Sequence, residues 1–385
     1  MNSSKDNYHE IQRCTTCVLD TTVNDIWFDE NGECKYCKIH RQQELQHPLG
    51  LEMEKYLAHK IEEIKQYGKG KPYDCVVGVS GGRDSTYTLL TAVKLGLRPL
   101  AVHFDNGWNT EISVNNIKKA CSKLNVELHT IVADWEEFRE IQKAFLKSST
   151  PDADIPTDYA IYSVLYHTAN KENIKYILNG HSFRTEGTSP ISWTYMDPIY
   201  VNDVMRKYSK VKKITSFPHM SLMKLQYYLW IKKIREFRIL EYIEYNKKEV
   251  DRILESELDW QYYGGHHHEN HYTKFFQSYY LPVKFNIDKR KTEYSALIRS
   301  GQMKRDQVLN ILGAGNYEYD SQTIKYALNK LGFSEKEWET IMKSPVKSHK
   351  DYKTLLPLIR MMKFPIRIAA KFKVVPEILY LKYAR

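Results

Sequence analysis

From about Pro72 onward, short apolar runs alternate with stretches whose apolar residues recur every three or four positions. The runs Cys75 to Val79, Arg98 to His103, Val126 to Val132 and Lys175 to Leu178 have strand length, and turn residues bound them. Thr86 to Leu95, Ile112 to Leu124 and Asp158 to Asn173 carry helical periodicity between them. This alternation predicts a parallel α/β sheet with crossover helices. Ligands of such a sheet lie beyond the carboxyl ends of its strands, so the turns there are the places to search for chemistry.

The first of these turns is the most informative. Val76-Val77-Gly78-Val79 runs into Ser80-Gly81-Gly82-Arg83-Asp84-Ser85, after which the helical pattern begins. Two adjacent glycines let backbone approach an anion closely, and a helix start adds unpaired N–H groups and a positive dipole end. Pyrophosphate is the expected guest, and ATP its source. The turn lacks the Walker lysine and the longer Gly-x-x-x-x-Gly-Lys spacing, so a kinase-like or GTPase-like grip on the γ-phosphate is not indicated. Its spelling, Ser-Gly-Gly-x-Asp-Ser, resembles the pyrophosphate loop (PP-loop) of the N-type ATP pyrophosphatases. That group includes GMP, NAD and asparagine synthetases and tRNA thiolation enzymes, which cleave ATP between its α and β phosphates and adenylate a carbonyl oxygen. Asp84 has two compatible readings: it holds Mg²⁺ on the pyrophosphate, or it caps the following helix.

Composition narrows the setting. The 385 residues are 42% hydrophobic and 13% aromatic, enough for a large core. No run is long and apolar enough to cross a bilayer, and the first residues form no secretory signal, so a cytoplasmic protein is expected. A formal charge of +10 favours an anionic partner. Basic runs occur at Arg206 to Lys213, at Lys232 to Arg235 and along the tail from Arg360.

Four of the six cysteines form two hooks, Cys14-x-x-Cys17 and Cys34-x-x-Cys37. That spacing suits a tetrahedral thiolate site for Zn²⁺ in a zinc-ribbon-like knuckle. An iron–sulfur cluster and a metal-free ribbon are the competing readings.

Two later strand ends carry further candidates. After the second run comes Phe104-Asp105-Asn106-Gly107, and after the fourth comes Gly180-His181-Ser182-Phe183-Arg184-Thr185-Glu186-Gly187. They read either as site loops or as polar turns, where Asp, Asn and Gly are expected in any case. A third informative segment is Trp260-Gln261-Tyr262-Tyr263-Gly264-Gly265-His266-His267-His268-Glu269, followed by Asp288-Lys289-Arg290-Lys291. Three consecutive histidines do not all face one ion in regular structure, so a histidine metal centre is disfavoured.

Taken in order, the paired cysteine hooks, the pyrophosphate loop, Thr185-Glu186-Gly187, Tyr263-Gly264-Gly265 and Asp288-Lys289-Arg290-Lys291 resemble the N-acetyl sugar amidotransferase family. Its members are associated with pseudaminic acid and O-antigen acetamidino sugars. The resemblance spans most of the chain. It implies a doubly wound parallel sheet of the PP-loop (adenine nucleotide alpha hydrolase-like) type, with the N-terminal knuckle and a mainly helical C-terminal region. The implied reaction adenylates the acetamido oxygen of an N-acetylated, nucleotide-linked sugar and displaces AMP with ammonia. Asp84, His181, Glu186, Arg290 and Lys291 are the expected catalytic residues. ATP is expected on Ser80, Gly81, Gly82, Arg83, Asp84, Ser85, Phe104, Asp105 and Gly180. The sugar is expected on Arg184, Thr185, Glu186, Gly264, Gly265, His268, Glu269 and Lys289.

The expected organisation is a knuckle at 1–50, an ATP-binding domain at 51–202, a substrate-binding helical region at 203–345 and a basic aromatic tail at 346–385. A glutaminase of the N-terminal nucleophile type needs Cys after Met1, where the sequence has Asn2, and Cys75 and Cys121 fall in a core strand and a helix. Ammonia is therefore expected from a separate glutaminase, with a cyclase-like subunit as a further partner the resemblance implies. The competing function is tRNA thiolation, which in many enzymes needs further cysteines near ATP. A non-catalytic nucleotide-binding scaffold is a third reading. The aromatic-basic segments Met220 to Ile239 and Leu355 to Tyr383 read either as core-facing helices or as surfaces for an anionic membrane or the glutaminase.

Overall fold

The computed structural model describes residues 11–211, 214–265, 268–315, 319–371 and 380–384. His266 and His267 of the histidine run, Lys212 and Lys213 of the first basic run, and 372–379 and 385 of the tail lie outside them.

After the cysteine segment come α1 (Lys35–Gln46) and α2 (Leu51–Gly68), then β1 (Cys75–Gly78), α3 (Arg83–Lys94), β2 (Pro99–Asp105), α4 (Glu111–Lys123) and β3 (Leu128–Val132). Two helices, α5 (Trp135–Lys147) and α6 (Ile155–Lys171), precede β4 (Tyr176–Leu178). Then follow α7 (Pro198–Tyr208), α8 (Leu222–Gln226), β5 (Arg235–Phe237) and α9 (Lys247–Leu258). The five strands are all parallel, in the order β3-β2-β1-β4-β5. The chain winds from β1 outward to β3, then returns to β4 on the other side of β1. The sheet thus reverses direction between β1 and β4, where a crevice opens and ligands of such sheets bind.

The α/β pattern is the one the sequence predicts, with two additions. The three-residue β5 is too short to register as a periodic run, and α5 interposes a second helix before α6. Side-chain alternation explains the nearly continuous apolar strands: Val76 faces a core shared with α5 and α6, whereas Cys75 and Val77 face one shared with α2, α3, α4 and α9. Local caps fix several helix starts. The Thr110 side chain accepts from the Ser113 N–H, Asp134 from Glu137, and Asn246 from Lys248 and Glu249.

The C-terminal region is helical: α10 (His271–Phe275), α11 (Leu281–Phe285), α12 (Arg290–Arg299), α13 (Arg305–Gly313), α14 (Ser321–Leu331) and α15 (Glu335–Lys343). Tyr272, Phe275, Tyr280 and Trp338 pack together here and join the core under the sheet. The chain ends in α16 (Leu356–Met361), α17 (Lys363–Lys371) and a turn at Tyr380–Ala384. Among the described residues, no helix is long and apolar enough to cross a membrane.

Candidate functional site

A cavity of about 360 Å³ opens at the carboxyl ends of β1, β2 and β4. The Ser80–Ser85 turn forms one wall, and its shape follows from its glycines. Gly81 has φ +78°, and a Cβ there would stand 2.2 Å from the Ser113 carbonyl oxygen. The Gly81 carbonyl is drawn outward by Asn116 Nδ2 at 3.1 Å and the Trp260 indole N–H at 3.0 Å. Ser85 Oγ accepts from the Ser80 N–H at 3.1 Å and donates to the Gly82 carbonyl at 3.2 Å, which closes the turn on itself. The start of α3 then presents its N–H groups to the cavity side.

Asp84 lies in the first turn of α3, and Gly82 is the N-cap residue, so Asp84 is not the cap. It lines the cavity with Glu186. Burial, and then the Glu186 charge, push its carboxyl up to about 6. The Tyr245 hydroxyl donates to Asp84 Oδ1. From the turn after β4, His181 Nδ1 bonds Glu186 Oε2 at 2.8 Å, so this pair meets the pyrophosphate turn across the cavity. Gly180 permits the approach, since a Cβ there would stand 2.8 Å from the Asp84 carbonyl oxygen.

The opposite wall comes from the C-terminal region, with Tyr263, Glu269, Asn270, Thr273, Gln277 and Lys289 facing the cavity. Two of these reach the turn itself. Ser80 Oγ donates to Glu269 Oε1 at 3.3 Å, and the Arg83 N–H donates to the Tyr263 hydroxyl at 3.3 Å. A Cβ on Gly82 would stand 2.8 Å from Glu269 Oε1. An anionic oxygen of this chain thus touches the rim of a cradle suited to phosphate. The floor is apolar, with Val102, Phe104, Ile161, Leu165 and Leu178.

Several expected residues sit elsewhere. Asp105 does not line the cavity; its carboxylate closes its own loop by accepting from the Gly107 N–H at 2.9 Å and Asn109 Nδ2 at 3.0 Å. Arg184 does not line the cavity; it is buried in a bidentate pair with Glu44, 2.9 and 2.8 Å, and donates to the Glu241 carbonyl. Thr185 is buried beside it. Arg290 grips Asp288 two residues earlier, and Lys291 reaches Asp20 in the cysteine segment at 2.8 Å. Gly264, Gly265 and His268 do not line the cavity, where Glu269 and Lys289 do. Arg83 lines it, but its guanidinium is paired with Asp251 of α9. Asn106 and Tyr263, from segments singled out in the sequence, line the cavity, whereas Tyr245, Asp251 and Asn116, which support its walls, and Asn109 were not anticipated. Each lies far along the chain from its partner or in a loop with no distinctive spelling.

The four N-terminal cysteines converge with their sulfurs within 4.8 Å of one another, and all are buried. Cys14–Cys37 is 3.8 Å, while Cys17–Cys34 and Cys34–Cys37 are each 3.7 Å. Four sulfurs about 2.3 Å from a single tetrahedral ion are about 3.8 Å apart, so the spacing fits one ion. A four-iron cluster spreads its thiolates farther. Hydrogen bonding among the four pulls the Cys14 thiol far below the ordinary range and pushes Cys37 far above it. Four buried sulfurs this close together form a natural cation site. The cysteine segment docks on the C-terminal region: Arg305 donates to the Cys14 and Cys17 carbonyls at 2.9 and 3.0 Å, and Arg299 to the Tyr36 carbonyl at 3.2 Å.

Comparison with known proteins matches two parts of the chain. Residues 74–163 match the queuosine biosynthesis protein QueC, and residues 269–364 match the LPS biosynthesis protein WbpG-like C-terminal domain. No curated protein matches the chain. Solved structures similar to it include NH3-dependent NAD synthetase from Campylobacter jejuni (17% identity, TM-score 0.29, 76% of this chain and 97% of that one). NMN synthetase from Francisella tularensis aligns at 15% identity and TM-score 0.31, over 76% of this chain and 97% of that one. The U34-tRNA thiolase NcsA from Methanococcus maripaludis, with its [4Fe-4S] cluster, aligns at 15% identity and TM-score 0.31, over 84% and 99%. The Ser80–Ser85 turn falls within the first matched segment, and the facing wall from Glu269 to Lys289, though not Tyr263, within the second. Two separate segments of the chain thus carry the likeness: 74–163 is similar to QueC, and 269–364 to the WbpG-like C-terminal domain.

Proposed function

We propose that this protein is an ATP-dependent amidotransferase that converts the acetamido group of a nucleotide-linked N-acetyl sugar into an acetamidine. The observation that carries the reading is the composition of the cavity. A PP-loop cradle faces a wall of amide, hydroxyl and carboxylate side chains from the WbpG-like domain, and none of the lining residues is cysteine. Such a wall suits a polyhydroxylated acceptor. The remaining thiols, Cys75 and Cys121, lie in β1 and α4, and burial pushes Cys121 up to about 11. Neither suits a persulfide carrier or a glutaminase nucleophile. The reading therefore takes ammonia from a separate glutaminase subunit and ranks tRNA thiolation second.

An amide carbon resists ammonia because its oxygen leaves poorly. In the proposed reaction the acetamido oxygen attacks the α-phosphorus of ATP, and the α–β bridging bond breaks to release pyrophosphate. Ammonia then adds to the imidate carbon, AMP departs with the former amide oxygen, and loss of a proton leaves the amidine. The α3 dipole and the N–H groups of its first turn stabilise the leaving pyrophosphate, the Arg83 N–H giving up its contact with the Tyr263 hydroxyl. Lys289 is the cationic cavity residue suited to the α-phosphate, and the His181–Glu186 pair suits proton removal from the attacking nitrogen. Asp84 and Glu186 would hold Mg²⁺, which when bound neutralises charge on the phosphates. Asp84, Asp154, Asp158, Glu186 and Glu269 all line the cavity, so a polyphosphate entering it needs a divalent cation. Phosphate binding also requires Glu269 to yield its contact with Ser80. Zn²⁺ is the proposed ion of the cysteine knuckle.

The test is incubation with ATP, Mg²⁺, ammonium and nucleotide-linked acetamido sugars whose acetyl oxygen carries a heavy isotope. The expected outcome is a product lighter by the difference between O and NH, with the label in AMP. Thiolated tRNA formed by the same preparation, with no AMP from any acetamido sugar, would reverse the ranking.

Acidity gives a second handle. Asp84 holds a divalent cation only as the anion, and its raised pKa places its protonation near pH 6. Pyrophosphate release should fall as the pH drops through about 6. Glu186→Gln removes the second cause of the rise, so besides slowing the reaction it should move this acid limb to lower pH. An unmoved limb in a pH–rate profile would show that another group titrates.

A further inference from the structure

The C-terminal helices present an apolar stripe that the body of the protein does not cover. Leu356 is buried and anchors the start of α16. Beyond it the pattern turns outward: Leu358 is 53% exposed, Met361 81%, Phe364 71% and Ile368 59%. Helix α17 has no buried residue. These four side chains recur at intervals of three to four residues, as one side of a helical path does. Pro357 and Pro365 both fall in first turns, where the missing N–H costs little, and the path is broken between them at Met362. A helix of nine residues is marginal by itself in water, so an uncovered apolar stripe along it points to another surface.

Charge selects the kind of surface. Arg360, Lys363, Arg367 and Lys371 recur with the same period, and no Asp or Glu occurs between 352 and 376. The Arg367 guanidinium lies 5.9 Å from the Tyr380 ring, so the turn at Tyr380–Ala384 sits beside α17. A covering surface must accept apolar side chains and offer many negative charges without specific partners, as an acidic bilayer does. We propose that α16 and α17 dock the protein on the surface of a membrane rich in anionic lipid, lying in its interface and not spanning it. A segment of similar makeup, with Met223, Trp230 and Ile231 exposed beside Lys232 and Lys233, is available as a second contact.

The experiment is co-sedimentation of the full chain with phosphatidylcholine vesicles, with and without phosphatidylglycerol. Binding is expected only with the anionic lipid and should weaken steeply with salt. The double variant Met361→Glu, Phe364→Glu should lose at least tenfold in affinity. Arg360→Gln and Arg367→Gln should each lose about fivefold, the effect of one cation near an anionic surface. All four positions are solvent-facing or nearly so, and unchanged thermal unfolding of the variants confirms that folding is intact. Equal binding to both lipids, or a Met361→Glu, Phe364→Glu variant that binds like the parent, overturns the proposal. So does absence of vesicle binding together with a self-associated parent that becomes monomeric in that variant, which would make a second copy the cover.

Discussion

Asp84→Asn is expected to lower Mg²⁺-dependent formation of AMP and pyrophosphate by about 100- to 1,000-fold, the loss of about 3–4 kcal/mol of transition-state stabilisation. Asparagine has the same shape and can still accept from Tyr245, so the geometry of the loop is kept while a metal-binding charge is removed. Stability should move the other way. Burial and Glu186 disfavour the ionised Asp84 in the folded state, raising its pKa to about 6. A carboxyl with a raised folded pKa favours the fold below its unfolded pKa, and this contribution is lost as pH rises through the folded value. At neutral pH the parent therefore carries a burial penalty that asparagine lacks, and the variant should be more stable by on the order of 1 kcal/mol. Pyrophosphate release and thermal unfolding measured on the same preparation separate the two effects. Activity within tenfold of the parent would remove Asp84 from the metal-binding role.

What the sequence disclosed, and what it withheld, divides along a physical line. The strand–turn–helix at 75–94 is local: its apolar run, glycine pair and helical periodicity each state their conformation without reference to distant residues. The same holds for the two cysteine hooks. Arg184 shows the opposite case. As a cation after a strand in a candidate loop it suggests a substrate contact, yet Glu44, far earlier in the chain, claims its guanidinium in a buried pair. Lys291 likewise serves to tie the knuckle to α12 through Asp20. Asp105, by contrast, follows a rule that sequence does offer, since Asp two residues before Gly in a strand-end loop often closes an Asx turn. Tyr245 and Asp251 left no sequence signal at all. Their importance comes only from where α9 and the segment before it pack against α3.

The second large effect concerns the knuckle. Cys34→Ser, or prolonged chelation, is expected to lower the unfolding temperature markedly and to remove activity as a consequence. Cys14, Cys17 and Cys34 are fully buried, and Leu19, Val23, Tyr36 and Ile39 beside them belong to the main core, so the loss is not confined to a surface loop. Without a cation the four sulfurs cannot all be thiolates at 3.7 to 3.8 Å, and repulsion or proton uptake must open the cluster. Opening it frees the carbonyls that Arg305 binds and withdraws Asp20 from Lys291. Both partners belong to the WbpG-like domain, and Lys291 is two residues from Lys289 in the cavity wall. Metal loss should therefore weaken acceptor binding before it weakens ATP binding, because the Ser80–Ser85 turn is held by Asn116 and Trp260 and not by the knuckle. Metal analysis should find one zinc per chain, and partial chelation should raise the apparent KM for the sugar while leaving that for ATP nearly unchanged. Iron with acid-labile sulfide in place of zinc, or equal rises in both constants, would show that the knuckle does something other than brace the acceptor wall.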